Sequence, residues 1–258
     1  MRNNSSSLRR ALTLLDLIAA TAGRDQGANL GELAAGIEST KSTVLRLLAP
    51  LVEAQLVRQD TDGSYRMGMG ILGLAGAYLA DLDIRTAAQP VLRELADATG
   101  QTAHLLVYSE GRVTYVDKVT GNSPIQMASR IGDTGTAYST ASGKAMLAFL
   151  GEEEVRNVVA LGMPAKTPAT ITDAQRLRDH LAVVRERGYA YDDLENEDGI
   201  RCVAAPVFNH TGAVACAVSV SGPAEAVAAN RQKYTDLVVE GAQRISAQLG
   251  HRGGDRNP

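Results

Sequence analysis

Apolar residues recur at helical spacing through the first third of the chain. Leu12, Leu15 and Ile18/Ala19 share one face and predict a helix over Leu8–Ala22, with Ser7 as its cap. "GRDQGAN" (23–29) breaks it. Asn29 then caps a short helix, Leu30–Ala35, ended by Gly36. Val44, Leu45, Leu47, Leu48 and Leu51 mark a third helix, capped by Ser39 and running to about Glu53. "LVRQDTDGSYRMG" (56–68) alternates around Asp-Gly and predicts two short strands in a β-hairpin. Three helices and a hairpin in this order predict a winged helix-turn-helix, whose second helix braces the third in the major groove of DNA.

The polar positions of the third helix sharpen that expectation. Ser39, Ser42, Arg46 and Ala49 form one stripe, on the side away from Val44, Leu47 and Leu51. Short side chains allow close approach to a duplex, and the free amides of a helix N-terminus hold phosphate. Arg46 is long enough to reach a guanine edge or a phosphate. A capped surface helix whose hydroxyls only satisfy its own first turn is the plainer alternative. The brace before it and the wing after it favour DNA. The expected DNA-facing set is Ser39, Thr40, Lys41, Ser42, Thr43 and Arg46, with Tyr65 and Arg66 from the wing.

"ILGLAGAYLADLDI" (71–84) follows the wing directly. It predicts a connecting helix whose apolar face (Ile71, Leu74, Tyr78, Leu82) packs on a second copy. A further helix, Arg85–Thr99, contains Pro90. Residues 102–250 read as α+β. "TAHLLVYSE" and "RVTYVDKV" flank Glu110-Gly111 as a hairpin, and "PIQMASRI" predicts a short strand. Helices are expected at about 140–150 and 152–161, and from a Thr172–Gln175 capping box to Arg187. Strands "GYAYD", "RCVAAPVF" and "AVACAVSVS" and a closing helix over 230–249 complete the pattern. The expected domains are 1–69 (winged helix-turn-helix), 70–85 (linker and dimerisation helix), 86–250 (effector binding) and 251–258 (disordered tail).

Composition narrows the class. The chain has 258 residues, 45% apolar and 21% charged, as in globular proteins. No run of about eighteen apolar residues exists, so neither a membrane span nor a membrane partner is expected. Two cysteines make no disulfide framework, which suits a cytoplasmic location. The net charge is −3, but residues 1–70 carry eight Lys/Arg against seven Asp/Glu, leaving −4 for the remainder. That small asymmetry has the sign of a DNA module joined to an acidic sensor.

In the second half, a two-residue turn at His210-Thr211 pairs Asn209 with Gly212 and sets Cys202 opposite Ser219, with Ser221 on the same face. A longer turn shifts this register. Buried packing is the ordinary role of such a Cys and of strand-end serines taken singly. "YSTASGKAML" (138–147) opens a helix with small residues whose amides can receive an anion. It lacks the spacing of a phosphate loop, and Ala141 stands where a Ser-x-x-Lys nucleophile would place its serine before Lys144.

"LGELAAGIESTKSTVLRLLAPLVEAQLVR", "STASGKAMLA", "GYAYDDLENEDGIRCVAAPVF" and "AVSVSGP" together resemble the IclR family of bacterial transcriptional regulators, over residues 8–250. The resemblance implies an α+β chain with a winged helix-turn-helix, a linker helix and a GAF/profilin-like effector-binding domain. It also implies a homodimer or dimer of dimers on a partly palindromic double-stranded operator, with repression the expected sense. In relatives that sense small carboxylates, the ligand lies between a helix N-terminus and an Asp, a Cys and two Ser. By motif position these are Ala141 and Ser142, Asp192, Cys202, Ser219 and Ser221. Where several relatives carry His or Pro ahead of Gly-Lys-Ala, this chain has Tyr138, and Ala141 replaces a Gly found in some.

Two other classes compete. A thiol-dependent enzyme using Cys202 needs a base, yet His104, His180, His210 and His251 form no Cys-His signature. A metal sensor built on Asp192 and Cys202 lacks paired ligand spacing. The expectation is therefore a regulator with no catalytic residues, no metal site and no cofactor.

Overall fold

A computed structural model describes residues 6–21, 24–74, 84–124 and 127–252. The chain divides into two compact units, Met1–Asp81 and Leu82–Pro258.

The first unit contains α1 (Ser6–Ala19), α2 (Leu30–Gly36), α3 (Lys41–Glu53) and a two-stranded hairpin of β1 (Val57–Gln59) and β2 (Tyr65–Met67). Leu14 and Ile18 of α1, Leu33 of α2 and Val44, Leu47 and Leu48 of α3 close one core with Val57 and Tyr65. Asn29 caps α2 in a reciprocal box: its side chain accepts from Gly31 and Glu32 amides while Glu32 accepts from the Asn29 amide. The cap of α3 is Thr40, whose Oγ1 accepts from the Thr43 amide, rather than Ser39. The Ser39 amide is engaged earlier, donating to the Ala34 carbonyl. Likewise α1 begins at Ser6, so Ser7 lies inside the helix. Residues 70–74 are helical, and 75–83 of the expected linker helix, with Tyr78 and Leu82, lie outside the described residues.

The second unit runs α4 (Ile84–Thr99), β3 (Thr102–Ser109), β4 (Arg112–Val119), β5 (Thr134–Thr136), α5 (Ala141–Leu150), α6 (Glu152–Ala160), α7 (Ala174–Arg187), β6 (Ala190–Asp193), β7 (Ile200–Phe208), β8 (Val214–Pro223), α8 (Ala224–Ala229) and α9 (Arg231–Gln248). Six antiparallel strands are ordered β5-β4-β3-β8-β7-β6. Strand alternation sorts the side chains between two cores. Leu105, Val203, Val218 and Val220 face α4 and α9, whereas Leu106, Ala204 and Ala217 face α5 and α7. Glu110 and Gly111 both take positive φ, 51° and 79°, the geometry of a tight hairpin turn.

Three expectations need correction here. The β7–β8 turn is longer than two residues, because Asn209 both donates to the Ala213 carbonyl and accepts from the Gly212 amide. Its side chain also caps the Thr211 and Ala213 amides. With a bulge at Val207/Phe208, the register moves by two, so Cys202 faces Ser221 and Ala204 faces Ser219. A shift of two preserves the face. The described part of "PIQMASRI", residues 124 and 127–131, is not a strand. Finally, α7 is capped by Asp173, which accepts from the Arg176 amide, rather than by Thr172. Of the expected tail, 253–258 lie outside the described residues, while His251 packs its ring 5.3 Å from that of Phe208.

Candidate functional site

The first unit presents the polar start of α3. Thr40, Lys41, Ser42 and Arg46 are exposed, and Ser39 and Thr43 half-buried. The hydroxyls cluster, with Thr40 Oγ1 lying 2.9 Å from Ser42 Oγ and 3.0 Å from Thr43 Oγ1. The wing residues behave differently. Tyr65 is only 4% exposed and belongs to the core, so its place in the DNA-facing set is corrected. Tyr65, beside the hairpin turn, pairs with Gln59 and is drawn inward by a backbone bridge to Ala28. Arg66 spends its guanidinium on the protein, meeting Asp60 at 2.9 Å and the Asp25 carbonyl at 2.6 Å. It braces the wing against the α1–α2 connection.

In the second unit, α5 aims its N-terminus at the middle of the sheet. Thr140 caps it, accepting from the Gly143 amide, so the amides of Ala141 and Ser142 keep no protein acceptor among the described residues. Gly143 is required by close approach: a Cβ there would lie 2.3 Å from the Ala137 carbonyl oxygen. Ala141, Ser142, Asp192, Cys202, Ser219 and Ser221 all line one cavity of about 310 Å³. Its remaining wall includes Leu106, Tyr115 and Ile200, and its charged groups are Lys166, Asp133, Asp192 and Glu197.

The polar groups are arranged in detail. Asp192 Oδ1 accepts from the amides of Glu195 (2.8 Å) and Asn196 (3.1 Å). Burial pushes its carboxyl up to about 7, against the pull of Lys144 and of those two amides. The Ser221 hydroxyl donates to Cys202 Sγ at 3.0 Å. Burial pushes the Cys202 thiol up to about 12, only partly offset by Ser221.

A second cavity, of about 520 Å³, lies between α9 and the β7–β8 hairpin and contains none of these six residues. Its wall is dominated by apolar groups such as Phe149, Pro206, Phe208 and Val239. Convergent polar groups and a helix N-terminus mark the smaller cavity as the better recognition site.

The family described as "Bacterial transcriptional regulator IclR C-terminal" matches residues 76–247, and "IclR helix-turn-helix domain" matches residues 7–61. The chain belongs to the IclR family of bacterial transcriptional regulators. It is 33% identical over 232 residues to the HTH-type transcriptional regulator KdgR of Escherichia coli, covering 89% of this chain and 88% of that one. XynR of the same organism is 35% identical over 216 residues, 83% of this chain and 85% of that one. Among solved structures, an IclR-type regulator from Silicibacter sp. TM1040 superposes with a TM-score of 0.86 at 29% identity, covering 98% and 99% of the two chains. The Agobacterium tumefaciens repressor BlcR gives 0.80 at 29% identity, covering 97% and 100%.

The IclR relatives are transcriptional regulators rather than enzymes. The thiol-enzyme alternative also meets a physical obstacle, since a buried Cys202 held as neutral thiol is a poor nucleophile. Among the described residues no three His, Cys, Asp or Glu gather as metal ligands, and no helix is long and apolar enough to cross a membrane.

Several groups at or around the cavity escaped sequence reasoning because tertiary packing, not local pattern, brings them together. Lys166 Nζ donates to Asn196 Oδ1 at 2.9 Å at the cavity wall. Lys118 Nζ donates to the carbonyls of Met127 (2.6 Å) and Ser129 (2.8 Å), tying down a wall segment. His104, opposite Ser219, meets Ser129 Oγ at 2.8 Å, and burial followed by Lys118 depresses its ring to about 3. The neutral imidazole is thus a buried strut. Lys144, inside "SGKAML", is buried in an ion pair with Glu195. The lone cation in an otherwise apolar helix was the one available signal.

Proposed function

We propose that this regulator is an effector-responsive repressor that binds a partly palindromic operator as a dimer or dimer of dimers in the cytoplasm. Residues 1–69 take the DNA, 70–85 connect and pair protomers, and 86–250 take the effector. On DNA, Ser39, Thr40, Lys41, Ser42 and Thr43 contact phosphate, and Arg46 a base edge or phosphate. In this reading the effector is a small metabolite bearing a carboxylate. Its carboxylate rests on the amides of Ala141 and Ser142 and on Ser219 and Ser221, and Cys202 closes the wall. A second anion beside it repels, so Asp192 either donates as a neutral acid or accepts from an effector hydroxyl.

The observation that carries this reading is the convergence of these six residues on one polar cavity at a free helix N-terminus. Sense follows from relatives named repressors, AllR of Escherichia coli among them. The ligand controls DNA only by favouring one arrangement of the protomers over another.

The test is a gel shift of the full-length protein on the DNA upstream of its own gene, with and without small carboxylates first ranked by thermal shift. Release of the DNA by an acid that also raises the melting temperature is the expected result. Operator binding indifferent to every stabilising acid overturns the effector assignment, and no binding to that DNA overturns the operator.

A further inference from the structure

Lys144 is 0% exposed, within the first turn of the helix whose leading amides face the cavity. Its ion-pair partner is Glu195, in the turn between β6 and β7. An ion pair this buried adds little stability over apolar packing, so its presence asks for another role. That turn is held from several sides. Thr167 Oγ1 donates to the Leu194 carbonyl and Thr170 Oγ1 to the Glu195 carbonyl, each at 2.6 Å. Asn196 Oδ1 accepts from Ser139 Oγ and Lys166 Nζ, each at 2.9 Å. Leu194 is driven to φ 65°, a strained value for a branched side chain.

The consequence falls on Asp192. With the turn so placed, the Glu195 and Asn196 amides both end on Oδ1, and Oδ2 has no protein hydrogen bond among the described residues. Lys144 therefore meets Glu195 by direct contact, and its charge also pulls the Asp192 carboxyl toward its ionised form. Lys166, Asp133 and Glu197 line the same cavity as Asp192, and Arg201 and Arg231 border a smaller pocket that it also reaches. Cys202, across from it on β7, and Tyr115 on β4 are neutral, their ionisation pushed up to about 12.

We propose that Lys144, through its pair with Glu195, is a positioning residue of the effector site: it holds the turn after β6 and supplies the counter-charge that sets the protonation of Asp192. The proposal rests on the reading of Asp192 as an effector contact. It makes effector binding proton-linked, because a carboxylate effector selects the protonated Asp192 that Lys144 opposes.

The test needs no ligand. In full-length protein carrying ¹³C-carboxyl aspartate, the Asp192 resonance is assigned by its loss in Asp192→Asn and titrated. Wild type should titrate near 7. Lys144→Gln removes the counter-charge and should raise the midpoint by roughly 1 unit. Glu195→Gln frees the ammonium for Asp192 and should lower it. A pair that only holds the turn together would move both variants downward, because each would expose Asp192. Shifts of the same sign, or none, overturn the proposal.

Should Lys144→Gln fail to fold, amide exchange in Glu195→Gln decides. A lowered midpoint with the amides of residues 195 and 196 still protected supports charge tuning. An unmoved midpoint, or a lowered one with protection lost, overturns it. A protein whose Asp192 is tuned but which answers to no acid would keep the charge link between Lys144 and Asp192 and overturn the effector reading on which its role at the site rests.

Discussion

Ser221 on β8 lies directly across from Cys202 on β7, and its hydroxyl donates to the sulfur at 3.0 Å. The contact uses the thiol as an acceptor on a wall, with the proton kept on sulfur. Cys216, the other cysteine, is also buried and also pushed up to about 12. Neither thiol should react with a disulfide reagent at pH 8 in the native protein, and both should react in denaturant. Rapid native release of one equivalent would overturn the assignment of Cys202 as a neutral wall group.

Arg46 stands exposed on α3, opposite the buried Val44 and Leu47. Arg46→Ala should weaken operator binding by about 1–3 kcal/mol if the side chain reads a guanine. Its circular dichroism should match wild type, since no core contact is lost. Full operator affinity in the variant would remove α3 as the recognition helix.

How much was legible in the sequence follows from the range of the forces involved. Helices α1, α2, α3 and α9 and the β7–β8 pair were readable because periodicity is local. Caps were misplaced by a residue or so at Ser7, Ser39 and Thr172, since adjacent hydroxyls and Asp173 compete for the same amide. The Cys202–Ser219 pairing failed on a turn whose extra residues Asn209 caps with its own side chain. Parity survived, so the site residues still share a face. In the wing, Tyr65 belongs to the core and not to the DNA-facing set. The six cavity residues came from motif resemblance, and all of them line one cavity. Ser129, Lys166 and Asn196 were not legible, because loops bring them to the site, and Lys118 of β4 was not, because its role depends on reaching the carbonyls of Met127 and Ser129.

Assembly should be at least dimeric. One helix-turn-helix spans too few base pairs to select a site, and two-fold symmetry on a palindrome supplies the rest. Leu72 and Leu74, at the start of the connecting segment, are 66% and 63% exposed, which suits burial by a second copy. Light scattering at micromolar concentration should give twice the 27.2 kDa chain mass or more. A monomer would overturn the linker as a pairing element.

Ser219 and Ser221 face the cavity from β8, and both are buried. Replacing both by Ala removes two donors to an effector carboxylate while leaving the backbone ladder intact. The double variant should keep its operator affinity without effector and lose the response to any acid that releases the wild type. An unchanged response at the same acid concentration would place the effector elsewhere.

Asp192 ties stability to pH with a definite sign. Its folded-state value lies near 7, raised from an ordinary 3.8, because burial penalises the anion more than Lys144 and two amides favour it. A raised carboxyl means that the folded state holds its proton where the unfolded state has lost it. Its contribution is therefore fully present below pH 4 and disappears as pH rises through 7. Between pH 5 and 8 that amounts to roughly 2–3 kcal/mol, an upper figure for a group with compensating partners. Asp192→Asn cannot ionise, and its carbonyl oxygen can still accept from the Glu195 and Asn196 amides. Urea unfolding should find the variant close to wild type at pH 5 and more stable at pH 8. Other titrating groups are common to both proteins and cancel in the comparison. Parallel pH profiles for the two would show that Asp192 is an ordinary carboxylate, and the neutral-acid role at the effector would go with it.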